Sequence, residues 1–170
     1  LDVLATLEPA FRPDGSVTAG NSAPAADGAS CAVLVSDEVA RREGARVLGH
    51  FTGYATVGCE PERMADGAVR AIRKLCAAHR LAPRDIDVYE INEVFAAQLL
   101  HCVRALELPP ERVNVRGGAL SLGHPFGMTG ARLIGHAARE LGRRGERRAV
   151  VAMCVGGGVG AAALIEAPAN

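Results

Sequence analysis

Residues 149–167 read AVVAMCVGGGVGAAALIEA. The opening six, Ala149–Cys154, are apolar without alternation, the pattern of a central strand covered on both faces. Val155-Gly156-Gly157-Gly158-Val159-Gly160 is a glycine turn, and Ala161–Ala167 is a second strand. The joint is too short for a helical crossover, so this last strand is expected to run antiparallel to its neighbour.

Upstream, Ile134, Ala137, Ala138 and Leu141 recur at helical spacing, with Arg132, Arg139, Glu140 and Arg143 on the expected solvent face. Gly145 closes that helix, and arginines 143, 144, 147 and 148 suit its negative end. Before the helix lies Gly117–Gly130, GGALSLGHPFGMTG, with five glycines, one histidine and one proline. Such a cluster marks unusual dihedrals or close approach to the backbone. Val113-Asn114-Val115 reads as a short strand leading into this loop.

Further back, Phe95, Leu99, Cys102 and Leu106 share a helical face that Pro109-Pro110 stops. That helix follows a strand, Ile86–Ile91, which ends at Asn92-Glu93. Val69–His79 is helical, and Pro61 suits a helix start. Val47–Val57 favours β structure. Ser36 is a fitting N-cap for a short helix ended by Gly44. Ala29–Ser36, ASCAVLVS, reads as a buried strand, and Asn21–Gly28 as a loop. Residues 1–45 are too few to bury a core of their own, so they must pack on something else. The order β, α, β, α, β, α, β, β implies an α/β fold: a layered mixed sheet, mainly parallel but for its last strand, with helices on its faces.

The bulk numbers exclude several classes. The 170 residues carry a formal net charge of +0, with 49% hydrophobic and 22% charged residues, so nothing points to nucleic acid or an anionic membrane. Aromatics are only 4% and Trp is absent, against a base-stacking surface. No apolar run approaches ~20 residues, so no membrane span is expected. The acidic opening residues are not read as a signal peptide. Five cysteines at 31, 59, 76, 102 and 154 show no paired spacing, the pattern of a reduced, cytoplasmic protein. No grouping has metal-ligand spacing, and no phosphate-binding motif is present.

Sites in layered α/β sheets form beyond the C-terminal strand ends. Three stretches deliver chemical residues there: Asn92, the loop holding His124, and Cys154. Each has a plainer reading. A strand-end cysteine is commonly core filler, but three glycines follow this one and leave backbone N–H groups to face a ligand. Asn92 alone reads first as the N-cap of the next helix. His124 sits in a loop too irregular for core packing alone. His50, His79, His101 and His136 read as packing or surface residues.

Asn92-Glu93-Val94-Phe95-Ala96-Ala97-Gln98, Gly117-Gly118-Ala119 with Gly123-His124-Pro125, and Cys154-Val155-Gly156-Gly157-Gly158 resemble the three C-terminal signatures of thiolases. Their order and spacing, about thirty residues between successive centres, are similar as well. Val17–Asn21 with Asp27-Gly28-Ala29 resembles the segment preceding the thiolase C-terminal domain. The resemblance implies that residues 1–45 are the tail of an N-terminal domain and residues 46–170 a C-terminal domain. It implies that His124 activates a nucleophilic cysteine and helps bind the thioester oxygen. It implies that Cys154 is a second cysteine, which moves the proton at the substrate α-carbon. It implies that Asn92 holds a water completing one oxyanion hole with His124, and that the Gly156 N–H serves another. It further implies that Phe95 lines the acyl pocket, that Val94 stands beside the coenzyme A path, and that the segment around Ser22 and Ala23, with Met64, contacts the pantetheine arm of coenzyme A, a substrate rather than a bound cofactor. Making a thiolate at pH 7 from an ordinary thiol costs about 2 kcal/mol, more than the ~0.3–1 kcal/mol a helix dipole returns, so a neighbouring histidine is a sensible requirement.

Two departures stand beside coenzyme A. Val94 replaces the family's usual alanine, and Met64–Ala68 replaces a stretch usually richer in Gly and Pro. The family's nucleophilic cysteine lies in an N-terminal domain, and Cys31 shows no nucleophile motif. The expectation is an acyltransferase cleaving 3-oxoacyl-CoA or running the reverse Claisen condensation. Its partner is an N-terminal thiolase half, in the same polypeptide or a separate chain, within a homo- or hetero-oligomer; the isolated chain is expected to be inactive. The alternatives are a non-catalytic thiolase-like subunit that binds coenzyme A or a partner chain, and a truncated product with an exposed interface.

Overall fold

Four strands form one mixed sheet in the order β1 (His50–Gly58), β4 (Val159–Glu166), β3 (Arg148–Val155), β2 (Val88–Ile91). The computed structural model describes residues 2–169. Leu1 and Asn170, the outermost residues of the two expected domain spans, lie outside the described residues. The helices are α1 (Asp2–Ala5), α2 (Asp37–Arg42), α3 (Met64–Ala78), α4 (Ala96–Leu106), α5 (Ala119–Leu122) and α6 (Phe126–Arg144).

The glycine turn does what its sequence requires. β3 and β4 pair antiparallel up to Val155 opposite Val159, and Gly157 and Gly158 take φ +87 and +85 between them. β2 pairs parallel with β3, and β1 pairs antiparallel with β4. The expected layered mixed sheet is present, with more antiparallel pairing than the alternation of strands and helices implied: two of the three pairings are antiparallel. β1, β2 and β3 do share one direction, but the terminal strand β4 returns between β1 and β3 and reverses both pairings it enters.

Alternation along β3 supplies both faces. Val150, Ala152 and Cys154 join Ile72, Leu75 and Ile91 in a core under α3 and α4. Ala149 and Val151 join Val88, Leu133, Ala137 and Leu141 under α6. α3 can lie this close to β4 only because Gly67 and Gly160 meet backbone to backbone, leaving no room for a Cβ on either. Ser36 caps α2 by accepting from the Val39 N–H at 3.3 Å, and Gly44 and Gly145 end α2 and α6 in the left-handed region.

Four expectations change. Ala29–Ser36 forms no strand. Val33 and Leu34 are 85% and 72% exposed, because no strand among the described residues borders them. Val113–Val115 makes one bridge, Val113 to Tyr89, and then turns at Asn114, φ +46. Gly117–Gly130 is not a single loop, since it contains α5 and the start of α6. Glu140 is buried rather than solvated, held by Arg116 at 3.3 Å and Arg143 at 3.7 Å.

Candidate active site

Parallel pairing brings the C-terminal ends of β2 and β3 to the same edge of the sheet. The ladder continues past Ile91, with the Asn92 N–H donating to the Ala152 carbonyl at 2.9 Å. Asn92 is fully buried. It does not cap α4; that position belongs to Phe95, whose backbone is extended. The Asn92 amide instead reaches across the sheet end, Nδ2 lying 3.2 Å from His124 Nε2.

His124 is gripped on its other side by Thr129, with Nδ1 and the hydroxyl 2.7 Å apart. The Thr129 hydroxyl donates to the Pro125 carbonyl at 2.9 Å. A hydroxyl has one proton to give, so Thr129 must accept from His124 Nδ1–H. That assigns the lone pair to Nε2, where the Asn92 amide N–H meets it. Asn92 Oδ1 is buried without a protein partner among the described residues, an acceptor suited to a small polar guest. Burial and the Arg132 guanidinium hold the His124 pKa below the usual histidine range. The imidazole is therefore neutral at neutral pH, its basic Nε2 pair engaged by the Asn92 N–H until a stronger proton donor takes its place. The Phe126 ring meets the imidazole at 5.0 Å, edge to face, and the His124 backbone N–H donates to the Pro24 carbonyl at 3.0 Å.

Cys154 emerges on β3 at the same sheet end, buried on the α3 side. Burial pushes its thiol up to about 11, so it stays protonated at neutral pH. Gly156 lies two residues on, exposed in the β3–β4 turn.

Ser22, Ala23, Val94 and Phe95 form a second cluster. The Ala23 N–H donates to the Val94 carbonyl at 2.9 Å, and Ser22 bridges Phe95. Val94 and Met64 both pack on the α3-side core. The Ser22 hydroxyl is engaged with the Thr18 carbonyl at 2.7 Å, and the Phe95 ring meets Phe11 edge to face at 5.8 Å.

The sequence model described as the thiolase C-terminal domain matches residues 45–167. The chain belongs to the thiolase family. The thiolase N-terminal domain model matches residues 1–38. Among curated thiolases, the human peroxisomal 3-ketoacyl-CoA thiolase is 47% identical over all of this chain, which spans 40% of that protein. Among solved structures, the Bacillus anthracis acetyl-CoA acetyltransferase superposes with TM-score 0.95 at 46% identity, covering 98% of this chain and 42% of that one. Human mitochondrial 3-ketoacyl-CoA thiolase in complex with CoA superposes with TM-score 0.91 at 38% identity, covering 99% of this chain and 43% of that one.

In this thiolase chain the three signatures deliver Asn92, His124 and Cys154 to one end of the sheet. Sequence reasoning missed what holds them. Thr129 carries a faint signal, a β-branched hydroxyl in the first turn of the helix after Gly-His-Pro. Glu93 and Asn114 carry none beyond their place beside the signatures. Among the described residues no cluster of His, Cys, Asp or Glu is placed to hold a metal, and no helix is long and apolar enough to cross a membrane.

Proposed function

We propose that this chain supplies the acid–base and oxyanion groups of a thiolase that cleaves 3-oxoacyl-CoA or runs the reverse Claisen condensation. The observation that carries the proposal is the neutral His124, with Nε2 facing Asn92 and Nδ1–H committed to Thr129. The attacking thiol comes from outside these 170 residues, from an N-terminal half in the same polypeptide or a separate chain. His124 Nε2 takes that thiol's proton as sulfur attacks the 3-oxo carbon. The C2–C3 bond then breaks, its electron pair passing to the acetyl-CoA enolate. The Cys154 S–H gives its proton to C2, and coenzyme A takes the acyl group from the enzyme sulfur.

Two oxyanions need two donor sets. The Asn92 side chain orients a water towards the first, together with His124 once it is protonated. The Gly156 N–H serves the second. Ser22, Ala23, Met64 and Val94 flank the pantetheine path, and Phe95 the acyl end. Coenzyme A is a substrate, with no prosthetic group. The working form is an oligomer, and the five free thiols suit a reducing compartment such as the cytoplasm, although relatives are named peroxisomal. Residues 1–45 act as the tail of the N-terminal domain and residues 46–170 as the C-terminal domain.

The test mixes or co-expresses the chain with an N-terminal half and follows thiolysis of a 3-oxoacyl-CoA. Turnover is expected only in the complex and is lost in His124→Ala. Unchanged turnover in that variant establishes instead a non-catalytic subunit. Full turnover by the 170 residues alone overturns the proposed division of labour.

A further inference from the structure

Two buried side chains stand between the Asn92 strand end and the His124 loop. Glu93 is 6% exposed and follows Asn92 directly. One of its oxygens accepts from Asn114 Nδ2 at 2.7 Å, the other from the Leu120 backbone N–H at 3.1 Å. Leu120 lies in the first turn of α5, where backbone N–H groups have no partner inside the helix. Asn114 acts as a substitute strand on the free edge of β2. Its Oδ1 accepts from the Ile91 N–H and its Nδ2 donates to the Ile91 carbonyl, both at 2.8 Å. The Asn114 N–H also donates to the Tyr89 carbonyl at 2.8 Å. A continuous polar chain therefore runs from the β2 edge through Asn114 and Glu93 into α5, which ends just before Gly123-His124. Gly118 has no side chain because the Glu93 carboxylate carbon lies where one would go, 2.5 Å from an added Cβ.

We propose that Glu93 and Asn114 are positioning residues that fix the His124 loop against the end of β2, holding the Asn92 amide and His124 Nε2 in register. The kinetic consequence rests on the thiolase reading; the geometric one does not. The brace needs an acceptor at both ends. A carboxylate offers two, whereas an amide of equal size offers one and turns an N–H group against a second donor. Glu93→Gln therefore changes polarity at nearly constant volume. Asn114→Gly removes the edge-strand mimic while keeping a residue at ease at φ +46.

The experiment labels histidine nitrogens in the 170-residue chain and follows the His124 ring by NMR across pH. The wild type is expected to show a single Nδ1–H tautomer with a depressed midpoint. Glu93→Gln and Asn114→Gly are each expected to mix the tautomers or move the midpoint back towards the ordinary value. In the complex with the N-terminal half, each is expected to lower kcat for thiolysis by about tenfold or more, with KM for coenzyme A within about twofold. A folded variant with reduced melting temperature but unchanged His124 signals assigns the brace a purely structural role and overturns the proposal. If neither variant folds, Glu93→Asp decides by the same His124 signals: mixed tautomers or a moved midpoint uphold the brace, and unchanged signals overturn it. A wild-type complex without turnover sinks the thiolase reading and leaves the His124 spectrum to judge the brace.

Discussion

The Thr129 hydroxyl lies 2.7 Å from His124 Nδ1 and gives its own proton to the Pro125 carbonyl. Two properties of the helix start produce this arrangement. Pro125 caps α6, so its carbonyl can accept from the side chain one turn later, and Thr129 is fully buried, so no water competes for its hydroxyl. Thr129→Val keeps the shape and removes both bonds. His124 then loses its tautomer lock, and Nδ1–H is left buried without an acceptor. A lost hydrogen bond to a group that becomes charged is worth about 1.5–3 kcal/mol, so kcat in the assembled enzyme is expected to fall roughly 10- to 100-fold. Thr129→Ser is expected to retain most of the rate. Equal rates in the Val and Ser variants would remove Thr129 from the account.

Much of this arrangement was legible in the chain, and the parts that were not share a cause. Local chemistry marked Ser36, Gly44 and Gly145 correctly, because caps depend on neighbours only a few residues away. The β3–β4 hairpin was legible because its joint admits one geometry. The pairing of β1 with β4 was not, since it joins strands more than a hundred residues apart with no local signal. Ala29–Ser36 shows the opposite failure. Its apolar run is a sound strand pattern, but a strand needs a neighbour, and none of the described residues provides one. His124 was visible from glycine clustering, whereas Asn92 read first as a helix cap and entered the candidate site through its strand-end position and the thiolase resemblance. Their supports, Thr129, Glu93 and Asn114, are ordinary polar residues whose roles exist only once the backbone places their partners.

Glu90 gives a stability prediction with a definite sign. It is fully buried on the α6 face of β2, and burial pushes its pKa up to about 8. The charges facing it are Arg132, Glu140 and Glu93; His136 lies 3.1 Å away, its own pKa lowered by burial and then by Arg132. At neutral pH the pair is a protonated carboxyl donating to a neutral imidazole rather than an ion pair. Because the folded pKa exceeds the unfolded one, Glu90 contributes stability that is full below the ordinary carboxylate range and is lost as pH rises towards 8. His124 and His136, with lowered pKa values, act in the opposite sense and lose stability as pH falls below the ordinary histidine value. Above about pH 6.5 the Glu90 effect stands alone. Urea unfolding is expected to show a loss of about 1–2 kcal/mol between roughly pH 6.5 and 8, a slope that Glu90→Gln largely abolishes. A wild-type slope retained in that variant would assign the effect to another group.

Cys154 allows the two halves of the proposed chemistry to be separated. Its buried thiol, pushed up to about 11, is held as an acid at working pH, while His124 must be neutral to act as a base. In the assembled enzyme, cleavage is therefore expected to rise with pH through the lowered His124 pKa, stay level, and fall only as pH approaches the Cys154 value. Cys154→Ala removes the proton donor and leaves Asn92, His124 and Thr129 in place. Acyl exchange between coenzyme A thioesters needs the nucleophile and His124 but no proton at carbon. It is expected to survive within about tenfold in this variant, whereas solvent deuterium entry at C2 of acetyl-CoA falls by roughly 100-fold or more, the usual scale for a lost general acid–base group. Equal loss of both reactions would place Cys154 in the acyl-transfer half. Deuterium entry at the wild-type rate would mean that another group moves the carbon-bound proton.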